Sequence, residues 1–336
     1  MNIKFKQQLS EFYKTIEKMS KPDYCLLCGK RETSYCNSHI VPRFILKEIT
    51  EDGQISYGQA LSSKSKDIIQ TTKGLNNAFT FRLICKKCDK EKFSDYENPQ
   101  NLINFNNLDF SQKNKFLTQL AIKTHLAYIN TKYKLLNMKY LVHPELMLEL
   151  KNMGKITAEE LDLYEHFDYL YKLSKNNKKT NFPFELIYSK TLDYKIQLAT
   201  QSLVSYVFDL NGTQRYNPLD FKTSIISRYF YIDIFPYQNK TYIFFFIEKS
   251  NKPFVKDIIE QFNKLSDSDK LQFLFISLII HSEYLFINPS FKELLLKDKK
   301  LKGLYSSTDN SKNFDAFREI KNFKNYTNYF SNKNIQ

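Results

Sequence analysis

Cys25-Leu26-Leu27-Cys28 and Cys85-Lys86-Lys87-Cys88 bracket a stretch that contains Asn37-Ser38-His39-Ile40-Val41-Pro42. The two CxxC pairs are separated by 56 residues and together offer four thiolates, the donor set of one tetrahedral zinc. A CxxC turn aims two sulfurs at one metal while its backbone N–H groups stabilise them. A redox CxxC would open a helix after a strand in a βαβ setting, and neither pair has that setting. Cys36 is a fifth thiol; it reads as a simply buried side chain, or as a replacement ligand only if one knuckle were malformed. The spacing predicts a structural zinc on Cys25, Cys28, Cys85 and Cys88.

Working outward, residues 1–22 carry Phe5, Leu9, Phe12, Ile16 and Met19 at helical spacing up to a Lys21-Pro22 break. Inside the cysteine stretch, Asp52-Gly53 and Tyr57-Gly58 mark turns, and Ser62 to Gly74 reads as a polar loop. Phe79 to Ile84 reads as a short strand, and Asp89 to Tyr96 as a helix stopped by Asn98-Pro99. Ser111 to Leu136 is a long helical pattern. Thr157-Ala158-Glu159-Glu160 fits a capping box that opens a helix to about Leu173. Ser174 to Asn181 reads as a basic linker, and Phe182 to Phe208 fits strand or helix. Tyr229–Phe235 and Thr241–Glu248 read as a hairpin around Pro236-Tyr-Gln-Asn-Lys240. Residues 254–265 and 267–287 read as helices, followed by a shorter one after Pro289 and another over Asp315 to Phe323.

The chain has 336 residues, of which 42% are hydrophobic, enough to bury a substantial core. Its formal net charge of +14 favours a polyanionic partner, nucleic acid above all. The plainer source of that charge is a composition rich in Lys, Asn and Ile. The N-terminus has no apolar h-region, so no secretory signal is expected, and free thiols fit a reducing cytoplasm. The run from Leu271 to Ile287 includes Gln272, His281 and Glu283 and is too polar and short for a membrane span. Seven glycines leave no P-loop, no dinucleotide fingerprint and no GxSxG turn.

The order of knuckle, Ser38-His39-Ile40-Val41-Pro42, long insert, Leu83-Ile84-Cys85-x-x-Cys88 and helix resembles the HNH, or ββα-metal, nuclease superfamily on a treble-clef zinc scaffold. The resemblance covers residues 24–97, with Ser-His-Ile-Val-Pro-Arg-Phe and Cys-Asp-x-x-x-Phe-Ser-x-x-Glu as a divergent bacterial form of the motif. It implies His39 as the general base that activates water, and a divalent Mg²⁺ or Mn²⁺ against the scissile phosphate. Ser38 stands where the family has Asp or His, and Thr80 where it has a central Asn, with Asn76 and Asn77 just upstream. Asp89 follows the second CxxC, where His or Asn is common. Glu97 lies eight residues further on, so a continuous helix would place both carboxylates on one face. Asp89 and Glu97 are therefore the candidate ligands of the catalytic metal, and Arg43 and Arg82 the candidate phosphate contacts. A core or surface histidine is the plainer reading of His39, and a helix-start acid that of Asp89. His125, His166 and His281 lie in helical patterns and read as structural residues.

The expected fold class is α+β: a helix over 1–22, a zinc-stapled treble-clef module over 23–99, and a larger, mainly helical domain over 100–336. That domain would contain a β-hairpin or small sheet and an internal break near 174–182. The expected activity is metal-dependent hydrolysis of DNA, in a bacterial defence setting that rests on the resemblance alone. The alternative is a non-catalytic zinc module that binds nucleic acid or protein. A partner subunit or a second copy of the chain is a further expected partner; a membrane is not.

Overall fold

A computed structural model describes the protein over residues 3–31, 35–58, 71–75, 79–176, 183–217, 228–282, 284–308 and 315–331. In chain order the helices are α1 (Ile3–Met19), α2 (Arg43–Glu48), α3 (Lys86–Lys92), α4 (Pro99–Ile103), α5 (Phe110–Val142), α6 (Pro144–Asn152), α7 (Ala158–Asn176), α8 (Lys252–Asn263), α9 (Asp267–His281), α10 (Pro289–Lys297), α11 (Lys299–Thr308) and α12 (Asp315–Arg318). The strands are β1 (Ser38–His39), β2 (Gln54–Gly58), β3 (Thr71–Gly74), β4 (Thr80–Phe81), β5 (Phe184–Leu192), β6 (Leu198–Ser205), β7 (Tyr229–Tyr237), β8 (Lys240–Glu248) and β9 (Leu285–Ile287). The chain is thus a mixture of helix and sheet. Among the described residues no helix is long and apolar enough to cross a membrane.

Two compact units form, and they are interleaved along the chain. One draws its described residues from 1–40 and 79–182, the other from 41–78 and 183–336. The described residues 41–58 and 71–75, from the insert between the CxxC pairs, group with the second unit.

In the first unit, the helix expected over 111–136 runs longer, as α5. Its N-terminus is a capping box: Gln112 N–H donates to Asp109 Oδ1 (2.8 Å), and Asp109 N–H to Gln112 Oε1 (3.0 Å). From Phe116 to Asn130 every residue of α5 is buried, the mark of a helix enclosed on all sides. The capping box that opens α7 is present too, with Glu160 N–H on Thr157 Oγ1 at 3.2 Å and Thr157 N–H on Glu160 Oε2 at 2.9 Å. Ile16 of α1 and Ser20 just beyond it are buried, and Asn137 of α5 donates to Ser20 Oγ at 2.9 Å, whereas Met19 is exposed. His125 and His166 join α5 to α7 through their Nδ1 atoms, 2.8 Å apart. Burial pushes His125 down to about 3 and His166 well below the ordinary range, so one neutral ring donates to the other. Both are fully buried between the two helices.

The second unit is built on a seven-stranded antiparallel sheet in the order β3-β2-β9-β6-β7-β8-β5. It replaces the expected hairpin or small sheet. The β7–β8 hairpin is there, turned by Gln238 and Asn239 with φ of 48° and 60°. Phe182 to Phe208, ambiguous in sequence, supplies β5 and β6. The helix expected over 267–287 ends at His281, and Leu285–Ile287 is a strand between β2 and β6. Thr71–Gly74, expected as loop, pairs with β2; residues 59–70 lie outside the described residues. Ile232, Ile234, Phe245 and Ile247 face Ile258, Phe262, Phe273 and Leu274 from α8 and α9 in one apolar core. Tyr231, Phe235, Phe244 and Phe246, on the other face, are buried as well. With both faces buried, β7 and β8 have no polar alternation to announce a wide sheet.

Asp233 and Gln201 sit opposite each other on β7 and β6, both fully buried. Neither side chain has a hydrogen-bond partner among the described residues. Burial pushes the Asp233 carboxyl well above the carboxylate range, so the folded protein holds it neutral while the unfolded chain ionises above about pH 3.9. Its burial therefore costs stability that grows as pH rises from that value. Asp233→Asn removes the cost. In urea denaturation the variant should gain on the wild type from pH 4 to pH 7, by up to about 1.4 kcal/mol per pH unit. Stability curves that stay parallel would show that the carboxylate is ionised and partnered.

Candidate metal centre

The first knuckle closes through Cys25 N–H on Lys30 O (2.9 Å) and Gly29 N–H on Cys25 O (2.8 Å). Gly29 has φ of 69°, the left-handed region glycine enters without strain. Leu26 N–H reaches Leu83 O at 3.1 Å and joins this turn to the second knuckle. There Cys85 caps α3, taking Cys88 N–H on its sulfur at 3.4 Å, while Cys85 N–H donates to Cys25 Sγ at 3.3 Å. The ligand atoms of Cys25, Cys28, Cys85 and Cys88 all lie within 4.8 Å of one another. Tetrahedral zinc with Zn–S of about 2.3 Å requires S···S of roughly 3.8 Å, so the cluster fits that ion. All five cysteines are free thiols. Burial raises the Cys25 and Cys88 thiols above the ordinary range while the Cys28 thiol lies below it, so a metal bound here would displace protons chiefly from Cys25 and Cys88. Cys36, half-buried and outside the cluster, is pushed up to about 12 by burial and the Asp89 carboxylate.

The same frame carries His39. Strand β1 pairs antiparallel with β4, Ser38 opposite Phe81 and His39 opposite Thr80, and the chain then turns through Cys85 into α3. His39 is half-buried. Ser38, expected to be a weak metal ligand, is buried, and its hydroxyl donates to Asp89 Oδ1 at 2.5 Å. Asp89 lies in the first turn of α3. Arg82 is exposed and donates to Asn37 Oδ1, one residue before the Ser38-His39 pair. Arg43 is exposed at the start of α2, in the second unit. Asn76 and Asn77 lie outside the described residues.

Lys123 of α5 is the group that the local motif did not reveal. Its side chain is 1% exposed, and its Nζ donates to Asp89 Oδ1 at 2.8 Å and to Glu97 Oε1 at 3.1 Å. The Phe93 ring centroid is 4.1 Å from Nζ and that of Phe81 is 5.7 Å away. Burial raises the Asp89 carboxyl, but the Lys123 ammonium and the Ser38 hydroxyl outweigh it, and its pKa lies below the usual value. Glu97 reaches Lys123 by a route other than the one expected. α3 stops at Lys92, so the two acids share no helical face. A turn with Glu97 N–H on Phe93 O (3.0 Å) carries Glu97 back instead. Gln119 holds that turn to α5, accepting Asp95 N–H at 3.1 Å and Tyr96 N–H at 3.0 Å. The available signal was a lysine among Leu120, Ala121, Ile122, Leu126 and Ala127, since a lysine is seldom buried without a partner.

Lys123 also decides how a divalent cation would fit. The expected ion would sit between Asp89 and Glu97, where an ammonium already stands. Among the described residues, the four cysteines are the only group of three or more His, Cys, Asp or Glu ligand atoms so close together; His39, Asp89 and Glu97 do not form one. A divalent ion shared by Asp89 and Glu97 does not fit this arrangement. No protein-family model, no curated protein and no solved structure matches the chain.

The four-cysteine centre predicts one zinc per chain by elemental analysis, with four sulfur neighbours at about 2.3 Å by X-ray absorption. Cys88→Ser should lose most of the metal and expose the first unit to proteolysis around β1 and β4. A wild-type protein that is fully folded without metal would contradict this.

Proposed function

We propose that this chain is a phosphodiester hydrolase of the HNH type acting on DNA, with His39 as general base. The observation that carries the proposal is the pairing of β1 with β4 ahead of α3. It sets half-buried His39 on a short strand beside a four-thiol centre, and Ser38 ties that strand to Asp89 in the first turn of the following helix. A strand–strand–helix frame with one histidine on its first strand is the arrangement the sequence resemblance leads one to expect. Neutral imidazole near pH 7 is a suitable base for activating water. Exposed Lys30, Arg31, Arg82, Lys86, Lys87 and Lys90 in the same unit, with the net charge of +14, favour a phosphate backbone as partner. Arg82, bonded to Asn37, is the cation we assign to the phosphate nearest His39. Action against phage or plasmid DNA is the setting we propose with it.

The Lys123 ion pairs favour a second reading, a zinc-held module that binds nucleic acid or protein without cutting it. The two separate in a cleavage assay on plasmid DNA and matched RNA, with Mg²⁺, with Mn²⁺ and with neither. His39→Ala should lower the rate by about 10²–10⁴-fold and leave the zinc content unchanged. Faster cleavage of RNA than of DNA would reassign the substrate. Salt-dependent DNA binding by wild-type and His39→Ala proteins that are equally inert would establish the binding module instead.

A further inference from the structure

The environment of Lys123 Nζ is built for a monovalent ammonium. Two carboxylate oxygens approach it at 2.8 and 3.1 Å, and two phenyl rings, Phe93 and Phe81, fill other directions. Aromatic faces attract an ammonium but cannot ligate Mg²⁺, which requires oxygen at about 2.0–2.1 Å in near-octahedral order and keeps several waters. The lysine stem is enclosed in the buried stretch of α5, so the ammonium has no solvent to withdraw into without leaving its cage. Asp89 and Glu97 are partly exposed, at 26% and 34%, yet both present an oxygen to the buried side, where Lys123 is. Ser38 and Tyr96 add hydroxyl donors to those same two oxygens, at 2.5 and 3.3 Å. A cation ligand needs a free lone pair, and these atoms are already donor-saturated.

We infer that Lys123 fills, as an internal cation, the place of a divalent metal between Asp89 and Glu97, so the site at His39 works without a metal ion on those carboxylates. Lys123 touches no substrate: it is a positioning residue that fixes Asp89, and through Asp89 the Ser38 end of the His39 strand. For its chemical consequence the inference rests on the proposed role of His39. Its test does not, because metal uptake is read without any cleavage.

The experiment is Mn²⁺ titration of the zinc-loaded full chain, followed by electron paramagnetic resonance of free and bound Mn²⁺. Four thiolates retain zinc in preference to Mn²⁺, so the first centre does not interfere. Wild type and Lys123→Arg should bind no stoichiometric Mn²⁺. Lys123→Met, which keeps the length and removes the charge, should take up one equivalent, and the double variant with Asp89→Asn should lose it. Bound Mn²⁺ should also raise the melting temperature of Lys123→Met and leave that of wild type unmoved. The inference is overturned if wild type binds one Mn²⁺ that Asp89→Asn or Glu97→Gln abolishes, or if folded Lys123→Met binds none. Should Lys123→Met fail to fold, the wild-type titration with its Asp89→Asn control decides the matter by itself.

Discussion

Four thiols drawn to one point are the constraint on which the His39 site depends. Cys25 and Cys28 meet Cys85 and Cys88 across a chain excursion whose described residues 41–58 and 71–75 belong to the other unit. Strands β1 and β4 are two residues each, and a pair that short is not stable by itself. Their pairing has to be imposed, and the knuckles impose it: Leu26 N–H on Leu83 O and Cys36 N–H on Ile84 O run beside the cysteines. A metal on the four sulfurs closes the long loop and contributes its binding free energy to folding. Without such a metal, burial would favour the neutral thiols of Cys25 and Cys88, which hold the frame together less firmly than a shared ion would.

On that frame a second electrostatic device is mounted from α5. Lys123 crosses to Asp89 and Glu97, and breaking a buried pair by deleting one partner costs about 3–5 kcal/mol. Gln119, one turn earlier on the same helix, holds the turn that delivers Glu97. The helix thus fixes the start of α3, the turn beyond it and, through Ser38, the strand of His39. A strand edge held this way keeps a histidine in place without a metal ion to organise the acids. In the proposed chemistry, charge neutralisation at the phosphate falls to exposed basic groups such as Arg82.

The cysteine centre was legible because CxxC spacing is local and metal geometry is strict. The α7 start and the β7–β8 hairpin were legible for the same reason: a capping box and a hairpin turn are written in a few adjacent residues. What failed was written at long range. Gln54–Gly58 alternates only through Ile55 and Tyr57, too short a pattern to mark a strand, and its partner on one side, Leu285–Ile287, lies more than two hundred residues away, at the tail of what read as a continuous helix. β7 and β8, buried on both faces, look alike whether the sheet has two strands or seven. Asp89 and Glu97 were picked out correctly as neighbours, but on the premise of a shared helix that ends at Lys92. Lys123 is 34 residues from Asp89, with nothing but its apolar surroundings to mark it.

Anomalous diffraction tests the central claim most directly, because it shows both cation positions in one experiment. Crystals of the zinc-loaded protein, soaked in excess Mn²⁺, would be measured at the zinc and manganese edges. A zinc peak amid Cys25, Cys28, Cys85 and Cys88, with no manganese between Asp89 and Glu97 and Lys123 still bonded to both, is the predicted result. A manganese peak between the two carboxylates, with Lys123 swung away, would contradict it.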